Sequence, residues 1–177
     1  LLGTADGWLL LSLNSDIDSA PGSLQEQWLR DELAQNTETC VLAYFHEPPF
    51  SLRERNGHEA QVNLFQVLHD AGATVTLHGH NHFYERTHPL TADGAVDNEN
   101  GLVSFVVGTG SRLGSDSMAM PTTAKALFGR AGLLQLRLEK GQYSWAFVDA
   151  ASGESLDMAQ GRVGVGSKVR TTLLTSF

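Results

Sequence analysis

Five segments of alternating type open the chain, and their order limits the possible folds more than any other feature. Residues 8–13, 39–45 and 73–78 are mostly apolar or β-branched, as expected for buried strands. Residues 24–35 and 59–71 lie between them and repeat apolar residues at helical spacing, which predicts two amphipathic helices. This order is typical of an α/β fold. We therefore predict an α/β domain whose chemistry lies where the buried strands end.

The rest of the chain is predicted to be mostly β. Residues 102–107 have the composition of a buried strand. Residues 132–139 and 142–149 alternate apolar and polar side chains around a short turn, which predicts a hairpin. A last β-rich stretch covers residues 163–173, whereas residues 111–130 are predicted to be irregular.

Composition excludes several classes of protein. The 177 residues are 41% apolar and 18% charged, which indicates one globular domain rather than a disordered chain. A net charge of −8 without a cluster of Lys and Arg argues against a nucleic-acid partner. No apolar run reaches the length of a transmembrane helix, so no membrane partner is predicted. Cys40 is the single cysteine, so no disulfide can form within the chain.

The most informative motif is a histidine-rich bend that follows the third predicted strand. It contains His78, His80 and His82, three of the seven histidines of the chain. Gly79 and Asn81 tolerate unusual backbone angles, which predicts a tight bend at the strand end. Such a bend can direct two imidazoles, which are good ligands for zinc and iron, at one point. We interpret the motif as a metal site, and the alternative is a His-rich surface loop.

Two other groups of polar residues are candidates for a site. His46 directly follows the strand at residues 39–45. Alone it would be interpreted as a structural histidine, but together with the histidine-rich bend it favours a ligand. Asp16 and Asp18 lie in a polar turn, where aspartate is common, so a role in the turn is favoured over a carboxylate metal site.

Six short motifs span most of the chain: residues 13–15, 27–29, 46–49, 79–86, 105–110 and 143–148. The most specific of them reads Gly-His-x-His-x-Tyr-Glu-Arg. In content and order these motifs resemble the calcineurin-like metallophosphoesterases, most closely their purple acid phosphatase branch. The resemblance implies the C-terminal half of a four-layer α/β/β/α sandwich. Residues 1–177 would then form a single, partial catalytic domain.

The resemblance also implies roles for particular residues. In that family, two metal ions at the strand ends hydrolyse phosphate esters. His46 and His80 would bind one metal, and His82 would bind the other. His58 would have a catalytic role, contacting the phosphate and helping the leaving group to depart. Residues 84–86 would orient the ligands from behind them.

The departures from the family pattern matter as much as the matches. The first half of the family's domain supplies Asp-x-His, Gly-Asp and Gly-Asn-His motifs, and none of them occurs in these 177 residues. Those motifs carry the metal-bridging carboxylate and most of the other ligands. The complete enzyme would hold two ions of iron, zinc or manganese, whereas this chain is expected to bind one ion weakly at most. The expected partners are a phosphate ester substrate and either the missing N-terminal half or further copies of the chain, as a homo-oligomer.

Three functions stay open at this point. The leading hypothesis is a metal-dependent phosphoesterase of which this chain is the C-terminal half, nearly inactive alone. The second is a truncated, non-catalytic relative that acts in assembly or binds metal weakly. The third is a mononuclear zinc hydrolase that uses His46, His80 and His82, which is disfavoured because the family geometry does not bring all three to one ion.

Overall fold

The computed structural model describes residues 2–38, 40–52, 59–114, 120–163 and 170–173. Two helices and eleven strands lie within these ranges. In chain order they are β1 (Leu2–Ala5), β2 (Trp8–Ser12), α1 (Leu24–Gln35), β3 (Cys40–Tyr44), α2 (Glu59–Asp70), β4 (Val75–His78), β5 (Tyr84–Thr87), β6 (Val103–Val107), β7 (Thr123–Leu127), β8 (Gly132–Glu139), β9 (Gln142–Asp149), β10 (Ser155–Arg162) and β11 (Arg170–Leu173). Both predicted helices and the three strands that alternate with them are confirmed.

The larger sheet has seven strands in the order β1-β2-β3-β4-β6-β5-β7. Its centre, from β2 to β6, is parallel. Helix α1 is the crossover from β2 to β3 and α2 the crossover from β3 to β4, whereas the connection from β4 to β6 contains β5. Strands β1, β5 and β7 are antiparallel to their neighbours. The carboxyl ends of β2, β3, β4 and β6 therefore meet at one edge of the sheet, which we call the carboxyl edge.

The smaller sheet has four antiparallel strands in the order β11-β10-β9-β8. The predicted hairpin is confirmed as β8 and β9, which pair from Gly132 opposite Asp149 to Glu139 opposite Gln142. Side chains from two segments of the larger sheet form hydrogen bonds with the two ends of β8. The Trp8 indole N–H donates to the Glu139 carbonyl at 2.8 Å, and the Thr109 hydroxyl donates to the Gly132 carbonyl at 2.7 Å.

Apolar side chains form one core on each face of the larger sheet. The two faces follow from strand alternation: Val41 and Ala43 of β3 face the helices, while Cys40 and Leu42 face the smaller sheet. The helix-side core includes Leu9, Leu11, Leu29, Phe65 and Leu68. The inter-sheet core is rich in aromatic rings, namely Trp8, Tyr84, Phe105, Tyr143, Trp145 and Phe147.

The resulting layers confirm the α/β class. Helices pack on the larger sheet, and the smaller sheet packs on its other face. Within the described ranges no helix covers the outer face of the smaller sheet, so three of the four layers of the predicted α/β/β/α sandwich are found there. Neither described helix is long and apolar enough to cross a membrane.

The sequence patterns did not predict several of the strands. The prediction that residues 111–130 are irregular is wrong for β7, and β1, β5 and β10 were not predicted. Strand β7 contains two alanines and a lysine, a weak β pattern, and it is a strand because it pairs with β5 across the sheet. Of the stretch predicted at residues 163–173, the described strand is β11.

The predicted apolar face of α1 is only partly correct. Ser23 caps the helix by accepting a hydrogen bond from the Glu26 backbone N–H, as the Ser-x-x-Glu pattern predicts. Leu29 is fully buried, and Trp28 and Leu33 pack against the helix-side core. Leu24 also has the helical spacing, yet it is 87% exposed. Its position in the first turn places it beyond the edge of the core.

A buried polar cluster connects the two sheets. Arg86 of β5 binds Asp157 of β10 with two N–H donors, at 2.8 and 3.1 Å. The Tyr84 hydroxyl and the Trp145 indole N–H donate to the same carboxylate, at 2.6 and 3.3 Å. The guanidinium of Arg86 also stacks 5.0 Å from the Trp145 ring centre. This inter-sheet cluster sets the position of β10 relative to β5.

Candidate functional site at the carboxyl edge

Two of the candidate histidines lie just past neighbouring parallel strands. His46 is the second residue after β3, and His80 is the second residue after β4. Backbone bonds continue the β3–β4 pairing beyond the strands. The Phe45 N–H donates to the Leu77 carbonyl at 3.1 Å, and the Gly79 N–H donates to the His46 carbonyl at 3.0 Å. The two exit segments are therefore fixed side by side.

His46 and His80 face each other across an open recess. Their ring centres are 5.3 Å apart, and the ring planes cross at 87°. Both side chains are exposed, and the half-buried His82 lines the same recess of about 430 Å³. The other lining residues are Gly79, Gly108, Gly110 and Ser111. The three predicted metal ligands therefore line one recess.

The sharp bend is at His80 rather than at the residues beside it. His80 has φ of 60°, in the left-handed region, whereas Gly79 and Asn81 do not have positive φ. The prediction that those two residues supply the unusual angles is therefore wrong. A left-handed conformation costs a non-glycine residue about 1–3 kcal/mol and persists only where the surroundings impose it. A three-residue turn centred on His80 accompanies it, in which the Asn81 N–H donates to the Gly79 carbonyl at 2.7 Å. A second such turn follows, in which the Phe83 N–H donates to the Asn81 carbonyl at 2.8 Å.

The glycines at the recess permit close approach. A Cβ on Gly79 would lie 3.2 Å from Nδ1 of His46. A Cβ on Gly108 would lie 2.1 Å from the backbone carbonyl oxygen of Asn81, where no atom fits. A Cβ on Gly110 would have no atom within 4 Å of it. Gly108 is therefore the glycine that lets the histidine-rich bend pack against the exit of β6.

Substituting Gly108 by alanine is expected to displace the bend. The added methyl group must push the Asn81 backbone away, so we expect the free energy of unfolding to fall by about 1–3 kcal/mol. Gly110→Ala is the matched control, because its methyl group meets open space and should change stability by less than about 1 kcal/mol. Urea unfolding of both variants and the parent measures the difference. Equal stabilities for the two variants would contradict the close approach at Gly108.

A chain of hydrogen bonds supports the bend from behind. The Asn81 side-chain amide donates to the Ser51 hydroxyl at 2.8 Å, and that hydroxyl donates to Glu85 at 2.9 Å. Glu85 also accepts from the Leu52 N–H at 3.0 Å and from the Thr123 hydroxyl at 2.7 Å. Its side chain is almost completely buried. These hydrogen bonds connect the loop after His46 to the bend that carries His80.

Of residues 84–86, which were all expected to support the ligands, only Glu85 contacts the residues behind the bend. Glu85 reaches the bend through Ser51 and Asn81. Tyr84 and Arg86 alternate to the other face of the sheet and bind Asp157, so the expectation that they orient the ligands is wrong. The sequence motif does not distinguish these roles, because Asp157 is 71 residues away from Arg86.

His78 differs from its neighbours in being buried. It is 5% exposed, and its ring packs edge-on against Phe45 with 4.4 Å between ring centres. Its Nδ1 lies 3.2 Å from the Phe45 carbonyl, which can only accept, so Nδ1 carries the proton. Nε2 has no hydrogen-bond partner among the described residues. Burial lowers the pKa of His78 to about 3.

The remaining candidates do not join the recess in the described structure. The carboxylate of Asp18 accepts from the Ala20 N–H at 3.0 Å, and the backbone N–H of Asp16 is bound by the Asn14 side chain, so this segment is a turn as predicted. His58 lies outside the described residues. Among the residues that are described, no three His, Cys, Asp or Glu side chains are grouped as they would be around a metal ion.

Gly110 and Ser111 line the recess, and no site role was predicted for either. The Gly-Thr-Gly sequence after β6 is the end of the motif at residues 105–110, which supports the family resemblance but predicts no ligand. Its position after a parallel strand was the usable signal, because all such exits share the carboxyl edge.

Comparison with known proteins supports the fold. The sequence matches no protein-family model and no curated protein. Among solved structures, purple acid phosphatase PPD1 from yellow lupin (Lupinus luteus) seeds is similar over 99% of this chain and 36% of that chain, with a TM-score of 0.80 and 15% identity. GAP50, described as the anchor in the inner membrane complex of Plasmodium, is similar over 89% of this chain and 51% of that one, with a TM-score of 0.65 and 16% identity. PhoD is similar over 88% of this chain and 35% of that one, with a TM-score of 0.57 and 13% identity.

These similarities concern the fold, since the identities are all low. The chain spans about a third of the lengths of the lupin phosphatase and PhoD, and about half of GAP50. One of the three neighbours, the lupin protein, carries the name of a purple acid phosphatase, the branch that the sequence motifs resemble. The chain therefore has a mixed α/β, metallophosphoesterase-like fold.

Proposed function

We propose that this chain supplies part of the active site of a metal-dependent phosphoesterase. The observation that carries the proposal is the facing pair of His46 and His80, whose ring centres are 5.3 Å apart across a recess that His82 also lines. The site lies at the carboxyl edge of a parallel sheet, where α/β folds place their ligands. The fold similarity to a purple acid phosphatase supports phosphate ester hydrolysis as the chemistry.

The residues fit metal ions in kind but not in number. Imidazole nitrogen is a good donor for zinc and iron, and the glycines leave the space beside the rings open. A single zinc ion takes four ligands, however, and the described residues contain no group of three suitable side chains. We assign His46 and His80 to one ion and His82 to a second, and we assign the bridging carboxylate and the remaining ligands to a segment outside these 177 residues.

The proposed contributions of the chain follow from its geometry. Bound metal ions would supply water of lowered pKa and neutralise the charge of a phosphate ester. The chain's own residues hold and orient: His80 is directed by its left-handed backbone, and the bond from Gly79 to the His46 carbonyl fixes the distance between the two exits. The catalytic role of His58 toward the phosphate stays a proposal.

Zinc binding tests the assigned ligands. We expect the chain to bind one zinc ion weakly, because two imidazoles fill half of a zinc shell. His80→Ala should abolish the binding measured by isothermal titration. His88→Ala is the matched control, since His88 lies past β5 and outside the recess, and it should bind zinc like the parent. The same affinity for the parent and His80→Ala would refute the assignment.

Hydrolysis of p-nitrophenyl phosphate tests the proposed function. With zinc, manganese or iron, residues 1–177 alone should be nearly inactive, because the ligand set is incomplete. A longer polypeptide that adds Asp-x-His, Gly-Asp and Gly-Asn-His motifs should turn over the substrate, and His80→Ala in it should lower the rate by orders of magnitude. A longer polypeptide that binds two metals and remains inactive would refute the phosphoesterase proposal. Robust turnover by residues 1–177 would refute the missing-ligand part of it.

A non-catalytic role in assembly is the second candidate. The similarity to GAP50, whose description is that of an anchor, favours it. The number of bound metals in the longer polypeptide distinguishes the candidates. A scaffold protein would bind none or one and would keep its partners after His80→Ala.

A further inference from the structure

Strand β8 has a free edge with a defined set of hydrogen-bonding groups. Within the described ranges it pairs with β9 alone and ends the smaller sheet. The Ala150 N–H donates to the Ala131 carbonyl, so the odd-numbered residues that follow Ala131 bond to β9 in this antiparallel pair. The N–H and C=O groups of Leu134, Leu136 and Leu138 must therefore point away from β9.

Two bonds from segments of the larger sheet reach the ends of β8 in the described structure. Thr109 donates to the Gly132 carbonyl on the free edge, whereas Trp8 donates to the carbonyl of Glu139, an odd-numbered residue on the side that bonds to β9. Both bonds hold β8 over the larger sheet. The groups of Leu134 and Leu136 lie between these two points, and unpaired edge groups of this kind are the usual template for pairing with another strand.

An apolar cleft of about 610 Å³ opens beside this edge. Leu134 and Leu136 of β8 form one wall, and Leu13, Tyr44 and Leu77 at the carboxyl edge form the other. Tyr44 is 40% exposed although it lies in the middle of the larger sheet. The larger sheet therefore extends past the smaller one here, and its inner face is left uncovered.

We propose that the free edge of β8 and this cleft bind one extended β-strand from polypeptide outside residues 1–177, a strand with apolar side chains at alternate positions. The edge fixes the conformation of the occupant, because its backbone must pair with Leu134 and Leu136. The cleft fixes the alternation, because every second side chain of such a strand faces the larger sheet. The cleft shares His46, Gly79 and Gly110 with the histidine recess, so the added strand would run beside the candidate site.

A second copy of the chain does not fit this surface. Two copies paired edge to edge through β8 would place both larger sheets on the same side of the joined smaller sheets. The larger sheet already extends past β8 on that side at Tyr44 and Leu77, so the two larger sheets would collide. The occupant is therefore a strand that brings no large sheet on the same face.

Amide hydrogen exchange of the chain, followed by NMR, reports on the edge. Without a partner, the amides of Leu134 and Leu136 should exchange at least tenfold faster than those of Leu133 and Gln135, which are bonded to β9. Equal protection of all four amides would overturn the free edge. A dimer or larger oligomer in light scattering, with Leu134 and Leu136 protected, would show that a second copy is the occupant and would overturn the proposed one.

A short capped peptide, Lys-Val-Thr-Val-Thr-Val-Thr-Val-Lys, serves as the probe for the cleft. It should bind and protect the amides of Leu134 and Leu136. Two control peptides carry the same charge, one with its valines contiguous and one N-methylated on alternate residues along the pairing edge. Each should bind at least tenfold more weakly. Binding of all three peptides with equal affinity, or of none, would overturn the proposal.

Two matched variants of the chain locate the binding. Tyr44→Asp places a charge in the cleft at an exposed position and should weaken binding of the probe peptide at least tenfold. Ile17→Asp places the same charge at a residue that is 50% exposed and outside the cleft, and it should leave the affinity unchanged. An equal loss in both variants would reflect the added charge alone and would overturn the site.

Discussion

Asp157→Ala is expected to lower the free energy of unfolding by about 3–5 kcal/mol, because it leaves a buried guanidinium without its partner. The Arg86 and Asp157 side chains are 11% and 8% exposed. The substitution also removes the acceptor of the Tyr84 hydroxyl and the Trp145 indole N–H, which then lie buried without that hydrogen bond. Domains of this kind have about 5–15 kcal/mol of stability in total, so the loss is a large share of it.

The protonation states in this cluster agree with a fixed ion pair. Burial alone would raise the pKa of Asp157, but the hydrogen bonds from Arg86 and Tyr84 outweigh burial and hold the pKa below its ordinary value. Burial and the neighbouring carboxylate raise the pKa of Tyr84, so its hydroxyl remains a donor. All four donors therefore meet an ionised carboxylate at neutral pH.

Urea unfolding of Asp157→Ala measures this effect, and the exposed ion pair of Arg137 and Glu139 gives the control. The side chains of that pair are 78% and 38% exposed, so Arg137→Ala should cost less than about 1 kcal/mol. A double variant, Arg86→Met with Asp157→Leu, should recover much of the loss, since it removes the unpaired charge. If Asp157→Ala is no more costly than Arg137→Ala, the inter-sheet cluster does not stabilise the packing of the sheets.

Stability is expected to fall as the pH is lowered from 6.5 toward 4.5, by about 2–3 kcal/mol through His78 alone. The pKa of His78 is lowered by burial to about 3, from an ordinary value of 6.5. Between these two values the unfolded chain takes up a proton that the folded chain does not, so the free energy of unfolding decreases with falling pH by about 1.4 kcal/mol per unit. The contribution is constant above pH 6.5.

His78→Asn separates this effect from other titrations. The asparagine amide can still donate toward the Phe45 carbonyl, which accepts from Nδ1 in the parent, but it does not titrate. The variant should be less stable at pH 7, since a smaller side chain leaves a void, yet its stability should change much less between pH 6.5 and 4.5. Urea unfolding at half-unit steps of pH gives both slopes. Parallel slopes would mean that His78 is not the group responsible.

The sequence by itself determined the elements whose signals are local. Apolar strands and amphipathic helices in alternation set the α/β class, and the Ser23 cap and the turn at Lys140 and Gly141 set the start of α1 and the β8–β9 hairpin. The histidine motif at the end of β4 also pointed to the residues that line the recess. In each of these cases neighbours in the chain are neighbours in space.

Only the tertiary structure decided the features that depend on distant partners. Strand β7 exists through pairing with β5, and Arg86 faces Asp157 rather than the histidines because strand alternation turns it to the other sheet. The left-handed angle is at His80 because a turn from Gly79 to Asn81 is centred on it, whereas residue preference alone favoured Gly79 or Asn81. The free edge of β8 and its cleft likewise follow from strand order. No window of sequence contains these contacts, because the groups that make them are brought together only when the two sheets pack.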